Sequence, residues 1–294
     1  MESLAPEDGW FSEIDKNLAL SLRQKGEMLF HEKSDFQDVK IFDSHEYGRV
    51  LTLDDCVMLT ERDEHVYHEM ITHPAALTHP NPKRVLVIGG GDGGTVREMA
   101  RHPEVEEIVL VEIDSVVIEQ CRKWLPQTAC GLDHEKVNLI VGDGIEYVKN
   151  GEPESFDIII VDSTDPLGPS EGLFTESFYR KAHSMLAANG ILMVQSESPR
   201  IRVSIFQEIY SFFDKIFGQN NVHCMMIHVP TYMPGTWSLA FCSKGGLDPR
   251  EGLNTERGQR FVKNNNLDYY NLDMHRAAFA LPNYVQKLLG RIEA

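Results

Sequence analysis

The chain has 294 residues, 42% hydrophobic and 25% charged, a balance that supports a large core and excludes a disordered or fibrous chain. With 45 acidic against 28 basic residues its formal charge is −17, which disfavours nucleic acid as a partner and favours cationic small molecules. No apolar run is long enough to span a bilayer, and the acidic opening MESLAPEDGWFSE lacks the basic-then-apolar order of a signal peptide, so no membrane association and a cytoplasmic location are expected. The five cysteines (Cys56, Cys121, Cys130, Cys224 and Cys242) show no metal-ligand spacing, and their odd number argues against a disulfide framework.

In chain order, the segment from Glu27 to Thr60 carries short β-rich runs, VKIF, RVLTL and VML, separated by polar turns. Residues 1–62 are therefore expected to form a small N-terminal antiparallel β domain. From Asp63 the period changes, with Val66, Met70, Ile71 and Leu77 on one helical face. After HPNPK, strand-like runs alternate with helical ones: RVLVIG then TVREMARH, EIVLVEI then DSVVIEQCRKWL, VNLIVG then DGIEYVKN, FDIIIV then ESFYRKAHSML, and GILMVQ then VSIFQEIYSFFDKIF. VHCMMIHV and WSLAFCS close the series. Fully apolar strands with helices between them predict a parallel sheet covered on both faces. The expected class is α/β, a Rossmann-like, methyltransferase-type doubly wound sheet over residues 63–294.

Ligands in such sheets bind beyond the carboxyl ends of the strands, which selects four stretches. GGGDGG follows the first strand, and Gly89, Gly91 and Gly94 fit GxGxxG ahead of a helix. Glu112 ends the next strand, where a carboxylate accepts the ribose hydroxyls of an adenosine in NAD and S-adenosyl enzymes alike. Asp114 behind it is placed to cap a helix. Asp143 and Gly144 end the third strand, where an Asp can take an adenine amino group or, alternatively, cap a helix. The fourth stretch, DIIIVDSTDPLGPSEGLFTESFY, ends a buried strand in Asp162 and Asp165, with Pro166 and Pro169 stiffening the loop. With Glu197 in MVQSES these acids form an acidic chamber, which attracts an amine; local turn and capping roles are the plainer alternative for the pair.

Asp92 separates two classes of nucleoside ligand. It lies where a dinucleotide would place its pyrophosphate, and a carboxylate there repels that anion. A cationic tail suits the site better, and the carboxylate of S-adenosylmethionine suits it poorly unless another group offsets the repulsion.

Together GGGDGG, VEID, GDG and above all DSTDPLGPSEGLFTESFY resemble the spermidine synthase family of polyamine aminopropyltransferases. EKSDFQD, TERDEHVYHEM, QSESP, HVPTY and MHRAAFALP extend the likeness from about Trp10 to the C-terminal helix. The resemblance implies transfer of the aminopropyl group of decarboxylated S-adenosylmethionine to putrescine, giving spermidine and methylthioadenosine, with no cofactor. It implies a homodimer or homotetramer. It also accounts for Asp92, because the decarboxylated donor ends in an ammonium. Donor-binding roles then fall on Gln37, Gly89, Gly91, Asp92, Glu112, Asp143, Gly144 and Pro169. Amine-side roles fall on Trp10, His68, Asp92, Asp162, Asp165 and Glu197, with Asp162, Tyr67 and Tyr232 as the catalytic set.

Asp162 would take or position the amine proton, helped by the hydroxyl of Tyr67 or Tyr232, while Asp165 aligns the diamine. The sulfonium is already an activated leaving group, so no metal is expected. One departure concerns substrate choice: many relatives follow the SESP-like stretch with tryptophan, whereas Arg200 follows Pro199 here, a cation near a pocket expected to accept one. Acceptors other than putrescine (cadaverine, agmatine or a longer polyamine), an S-adenosylmethionine-dependent methyltransferase, and a non-catalytic polyamine-binding protein are the competing readings.

Overall fold

The computed structural model describes residues 9–165 and 168–293, with the side chains of residues 168 and 169 also outside the description. Pro166 and the side chain of Pro169, both given roles from the sequence, therefore lie outside the described residues.

Five antiparallel strands open the chain in the order of their sequence: β1 (Trp10–Asp15), β2 (Leu18–Lys33), β3 (Asp38–Ser44), β4 (Arg49–Leu53) and β5 (Cys56–Thr60). The last three are the β-rich runs of the sequence. The hairpin of β1 and the 16-residue β2 went unseen there, because much of β2 is solvent-exposed and its polar residues blur the alternation. Helix α1 (Glu64–Thr78) follows and is buried along nearly its whole length.

The rest is a seven-stranded sheet with its helices: β6 (Arg84–Gly89), α2 (Gly94–Ala100), β7 (Glu107–Glu112), α3 (Ser115–Trp124), α4 (Pro126–Ala129), β8 (Val137–Val141), α5 (Gly144–Asn150), β9 (Phe156–Asp162), α6 (Glu176–Met185), β10 (Leu186–Gln195), α7 (Val203–Phe217), β11 (Val222–Ile227) and β12 (Trp237–Ser243). Three further helices close the described chain, α8 (Thr255–Asn264), α9 (Leu272–Ala278) and α10 (Asn283–Leu288). Spatial order across the sheet is β11-β12-β10-β9-β6-β7-β8. Five strands are parallel, from β10 through β9, β6 and β7 to β8. The sheet is mixed rather than all parallel, because β12 runs antiparallel to both β10 and β11. The sequence pattern marked the last two runs as strands, and a buried antiparallel pair is as fully apolar as a parallel one, so pattern alone could not give their direction.

Side chains alternate between two cores, as the two-residue period of a strand requires. Val85, Val87, Ile158 and Ile160 face α1, α2 and α3, whereas Leu86, Ile88, Ile159 and Val161 face α6 and α7. Val39, Ile41, Leu51, Leu53 and Leu59 of the N-terminal strands join the first of these cores around α1. Buried Asp63 fixes the same junction: it accepts from the Thr60 hydroxyl (2.6 Å) and from the amide (3.1 Å) and hydroxyl (2.8 Å) of Thr231. That places the loop after β11, with Tyr232, against β5 and α1. No helix among the described residues is long and apolar enough to cross a membrane.

The chain passes from β6 to β7 and β8 on one side and later from β9 to β10 on the other. The switch point therefore lies between β6 and β9, where Gly89 and Asp162 stand opposite one another in register.

Candidate active site

A cleft opens at this switch point, bounded by the ends of β6, β7 and β9 and roofed by β1, β4 and β5. Gly89 has φ 79°, and a Cβ there would lie 2.1 Å from the Asp162 carbonyl oxygen, so the turn that brings the two strand ends together needs glycine. A Cβ on Gly94 would lie 2.3 Å from the His68 ring, so this position too is held to glycine by close approach.

At the end of the cleft formed by β6 and β7, the Glu112 oxygens accept from the amides of Gly91 (3.0 Å) and Asp114 (2.9 Å). Burial pushes this carboxyl up to about 7 despite those bonds, a cost that hydroxyl donors from a ligand would offset. Asp114 caps α3 through the Val116 amide (3.0 Å) and also accepts from Ser34 (2.7 Å) and from the Gln37 side chain (2.9 Å). Gln37 thus reaches the cleft wall with its amide group committed to Asp114. Asp143 caps α5, with Oδ1 accepting from the Ile145 amide (2.7 Å), while it and Gly144 line the cleft. Capping and ligand contact, set as alternatives from the sequence, are compatible because the cap engages only Oδ1.

Asp92 and His68 form the next layer. Asp92 Oδ1 accepts from the Gly94 amide (2.7 Å) and faces His68 Nε2 at 3.2 Å, which leaves Oδ2 for a ligand. The other ring nitrogen meets Glu64 at 2.5 Å, and Glu64 receives both terminal nitrogens of Arg97 (2.8 and 2.9 Å). His68 is only 2% exposed. Burial alone would lower its pKa, but Asp92 and Glu64 outweigh it and raise His68 to about 10. His68 lines the cleft, but the expected contact with the amine is not through its nitrogens, since both face carboxylates and the ring positions Asp92. His68, Asp92 and Asp162 place ligand-type atoms within 4.8 Å of one another, with both nitrogens of His68 facing carboxylates, Glu64 and Asp92.

Asp162 lies at the centre. Oδ1 accepts from the Tyr67 hydroxyl (2.7 Å) and Oδ2 from the Thr95 hydroxyl (2.6 Å). Burial first, and the charge of Asp92 second, raise its pKa, against His68 and the two hydroxyl donors. Tyr232 differs from the sequence expectation. Its hydroxyl donates to the Met58 carbonyl (2.6 Å), so its proton is committed and its oxygen can only accept. Its ring stands 5.7 Å from those of Tyr67 and Trp237, forming an aromatic wall suited to methylene groups.

Beyond Asp162 the cleft turns acidic. Asp165 and Asp162 do not act as a matched pair: Asp165 faces Arg202, Asp15 and Glu197 instead of Tyr67 and Thr95. Burial raises Asp165 as well. Glu197 was expected to contact the amine, but the cleft is lined by Gln195, with Glu197 behind. Its backbone takes φ 70° and its amide donates to Gln195 Oε1 (2.7 Å), turning the carboxyl inward to 0% exposure. Among the described residues neither carboxyl oxygen has a partner at hydrogen-bond geometry, and burial first, then the charge of Asp165, pushes the carboxyl up to about 8 against the weaker pull of Gln195 and the Ser198 amide.

Trp10 is likewise corrected: it is 45% exposed at the start of β1 and outside the cleft wall. Glu13 takes the inward place, since residues three apart on a strand face opposite sides. Glu13 accepts from the Val57 amide (2.8 Å), and burial raises it to about 7. Arg200, suspected near the pocket, stacks instead on the Tyr284 ring, 4.1 Å away. Arg202 is the cation that faces the acids, 3.7 Å from Asp15 and 3.8 Å from Asp165. Sequence reasoning missed Glu13, Asp15, Thr95, Gln195, Arg202 and Trp237. Gln195, inside the MVQSES stretch, and Thr95, directly after the glycine loop, stood in or beside stretches already singled out.

Residues 64–250 match the spermine/spermidine synthase domain, and residues 9–61 match the spermidine synthase tetramerisation domain. A polyamine aminopropyltransferase from Clostridium botulinum is 44% identical over 284 residues, covering 96% of this chain and 98% of the relative. One from Methanocaldococcus jannaschii is 43% identical, with 94% of each chain covered. A solved spermidine synthase in complex with the transition-state analogue AdoDATO superposes with a TM-score of 0.93 at 39% identity, covering 99% of both chains. Spermidine synthase from Thermotoga maritima gives 0.91 at 39% identity, with 99% of this chain and 98% of that one covered. Together with the glycine loop, the carboxylates at the strand ends and the acidic cleft, these matches show that the chain belongs to the spermine/spermidine synthase family of polyamine aminopropyltransferases.

Proposed function

We propose that this chain is a spermidine synthase, moving the aminopropyl group of decarboxylated S-adenosylmethionine to putrescine. The observation that carries this reading is the position of Asp162. It sits between a nucleoside-type end with Asp92 and an acidic end with Asp165 and Glu13, so a cationic donor tail and a diamine would meet across it. The AdoDATO complex of a spermidine synthase with the same fold supports the donor assignment.

The chemistry follows from the partners of Asp162. A primary amine near pKa ~10.4 arrives as an ammonium and must lose a proton before it can attack. Asp162, raised by burial, is a better acceptor for that proton than an exposed Asp, and Tyr67 and Thr95 hold both of its oxygens in place. The free amine nitrogen then forms a bond to the aminopropyl carbon attached to sulfur. The C–S bond breaks, its electron pair passes to the sulfonium, and neutral methylthioadenosine leaves. Asp92 Oδ2 would hold the ammonium of the donor tail through that displacement, and the Glu112 carboxyl would take the ribose hydroxyls. Most of the rate is assigned to this alignment.

We also read the chain as a cytoplasmic homo-oligomer. The match to the tetramerisation domain supports assembly, as do the exposed Trp10, Ile14, Leu18 and Met28 on β1 and β2.

The test is a matrix of donors against amines: intact and decarboxylated S-adenosylmethionine, each with putrescine, cadaverine, agmatine and spermidine, with products identified by mass. Spermidine from the decarboxylated donor and putrescine is expected. Methylated product from the intact donor would instead establish a methyltransferase.

A further inference from the structure

We propose that Arg202 is a specificity-determining residue: its guanidinium acts as a built-in cation in the acidic chamber, so that the site favours a diamine over longer, more highly charged polyamines. This rests on the acceptor reading above.

Arg202 immediately precedes α7, without a side-chain cap to the helix, and from there it bridges two separate parts of the fold. One terminal nitrogen lies 3.7 Å from Asp15 on β1 and the other 3.8 Å from Asp165 in the loop after β9. Its charge also acts on Glu13 and Glu197, so four carboxyls share the field of one guanidinium. Both distances exceed a hydrogen bond, so neither carboxylate is locked to the guanidinium, and Asp165, which lines the cleft, remains open to an incoming cation with Arg202 close behind it.

The count of charges decides what enters. Glu197, pushed up to about 8, stays protonated near neutrality, and Glu13, pushed up to about 7, is roughly half protonated. Against Arg202, the remaining surplus is on the order of one to two negative charges. A diamine brings one cation past its attacking nitrogen, matching that surplus. A triamine brings two, and one must sit beside the guanidinium, where like charges a few ångströms apart repel strongly even in a partly solvated cleft. Arg200, two residues earlier, is stacked outside on Tyr284 and has no such effect.

The experiment measures kcat and KM for putrescine, cadaverine and spermidine with decarboxylated S-adenosylmethionine, in the unsubstituted chain and in Arg202→Gln, Arg202→Lys and Arg200→Gln. Arg202→Gln should raise the kcat/KM ratio of spermidine to putrescine on the order of tenfold, mainly through the KM for spermidine. Arg202→Lys should keep the original ratio because the charge remains, and Arg200→Gln should leave it unchanged. A ratio unmoved in Arg202→Gln overturns the proposal, as does an equal loss with all three amines, which would mark a purely structural clamp. Aminopropyl product in the unsubstituted chain keeps the acceptor reading intact in either case. Its absence with every amine overturns that reading and this proposal with it.

Discussion

The two ends of the cleft handle charge in opposite ways. At the donor end the charges around Asp92 meet their partners inside the protein: Arg97 holds Glu64, Glu64 holds His68, and His68 holds Asp92. Beyond Asp162 four carboxyls face one guanidinium, and neither of its two ion pairs reaches hydrogen-bond distance. The pKa directions divide in the same way. Glu64, buried but paired with His68 and Arg97, falls to about 2, whereas burial lifts Glu13 to about 7 and Glu197 to about 8. Around Asp92 the donor end is preorganised, with its electrostatics settled before anything binds, while Glu112, lifted by burial to about 7, still awaits hydroxyl donors from a ligand. The acceptor end keeps a surplus of negative charge that only a bound cation relieves. That difference suits a reaction in which a fixed sulfonium awaits a mobile diamine.

The sharpest way to break this picture is at the boundary between the ends. Asp162→Asn keeps the shape and removes the base, so turnover should fall about a thousandfold while methylthioadenosine affinity changes less than threefold. Single-turnover rates and titration calorimetry measure the two separately; near-normal turnover would sink the proton-transfer role. Next, His68→Gln removes the charge that holds Asp92. Affinity for the decarboxylated donor should fall about tenfold and more than affinity for methylthioadenosine, which lacks the ammonium, and equal losses by calorimetry would refute the Asp92 assignment. A smaller effect is expected from Tyr67→Phe. Asp162 keeps its bond from Thr95 and loses the one from Tyr67, so turnover should drop about tenfold with the KM for the donor unchanged.

How much of this was legible beforehand depends on how local each feature is. The glycine loop, Glu112, Asp143 and Asp162 could be read because each sits at the end of an apolar strand, and a strand end in a doubly wound sheet has a fixed meaning. The competing caps were equally readable: Asp114 and Asp143 do cap their helices. What the sequence hid is contact between distant segments. Glu13 stands on a hairpin whose exposed, mixed pattern concealed the strand, and which side of β1 faces the cleft follows only from pairing with β2. Arg200 and Arg202 are two residues apart at the start of a helix, and only the packing of α10 draws Arg200 outward onto Tyr284. Glu197 looked like a ligand for an amine because a carboxylate at a strand end usually points into the cleft. Its left-handed backbone turns it behind Gln195 instead.

Glu197 therefore supplies the smallest but most discriminating test of the contrast, because a stored proton leaves a mark on stability without any ligand. Its folded value of about 8 lies above the ordinary 4.5, so between these pH values the folded protein retains a proton that the unfolded chain has released. Its contribution is thus fully present below pH 4.5 and is lost as pH rises to 8. Glu13 and Glu112, both lifted to about 7, act with the same sign. Glu64 and Glu98, both held near 2, act with the opposite sign and only below 4.5. His68, raised to about 10, loses its contribution between 6.5 and 10 in wild type and variant alike. Glu197→Gln keeps a donor facing Asp165 at every pH and removes one titration. Relative to wild type, its melting temperature should rise by roughly 3 to 5 °C between pH 5 and pH 8 and then level off. A difference that is flat across that range would mean that Glu197 is ionised in the folded protein, and the acceptor end would hold one more charge than the contrast assigns to it.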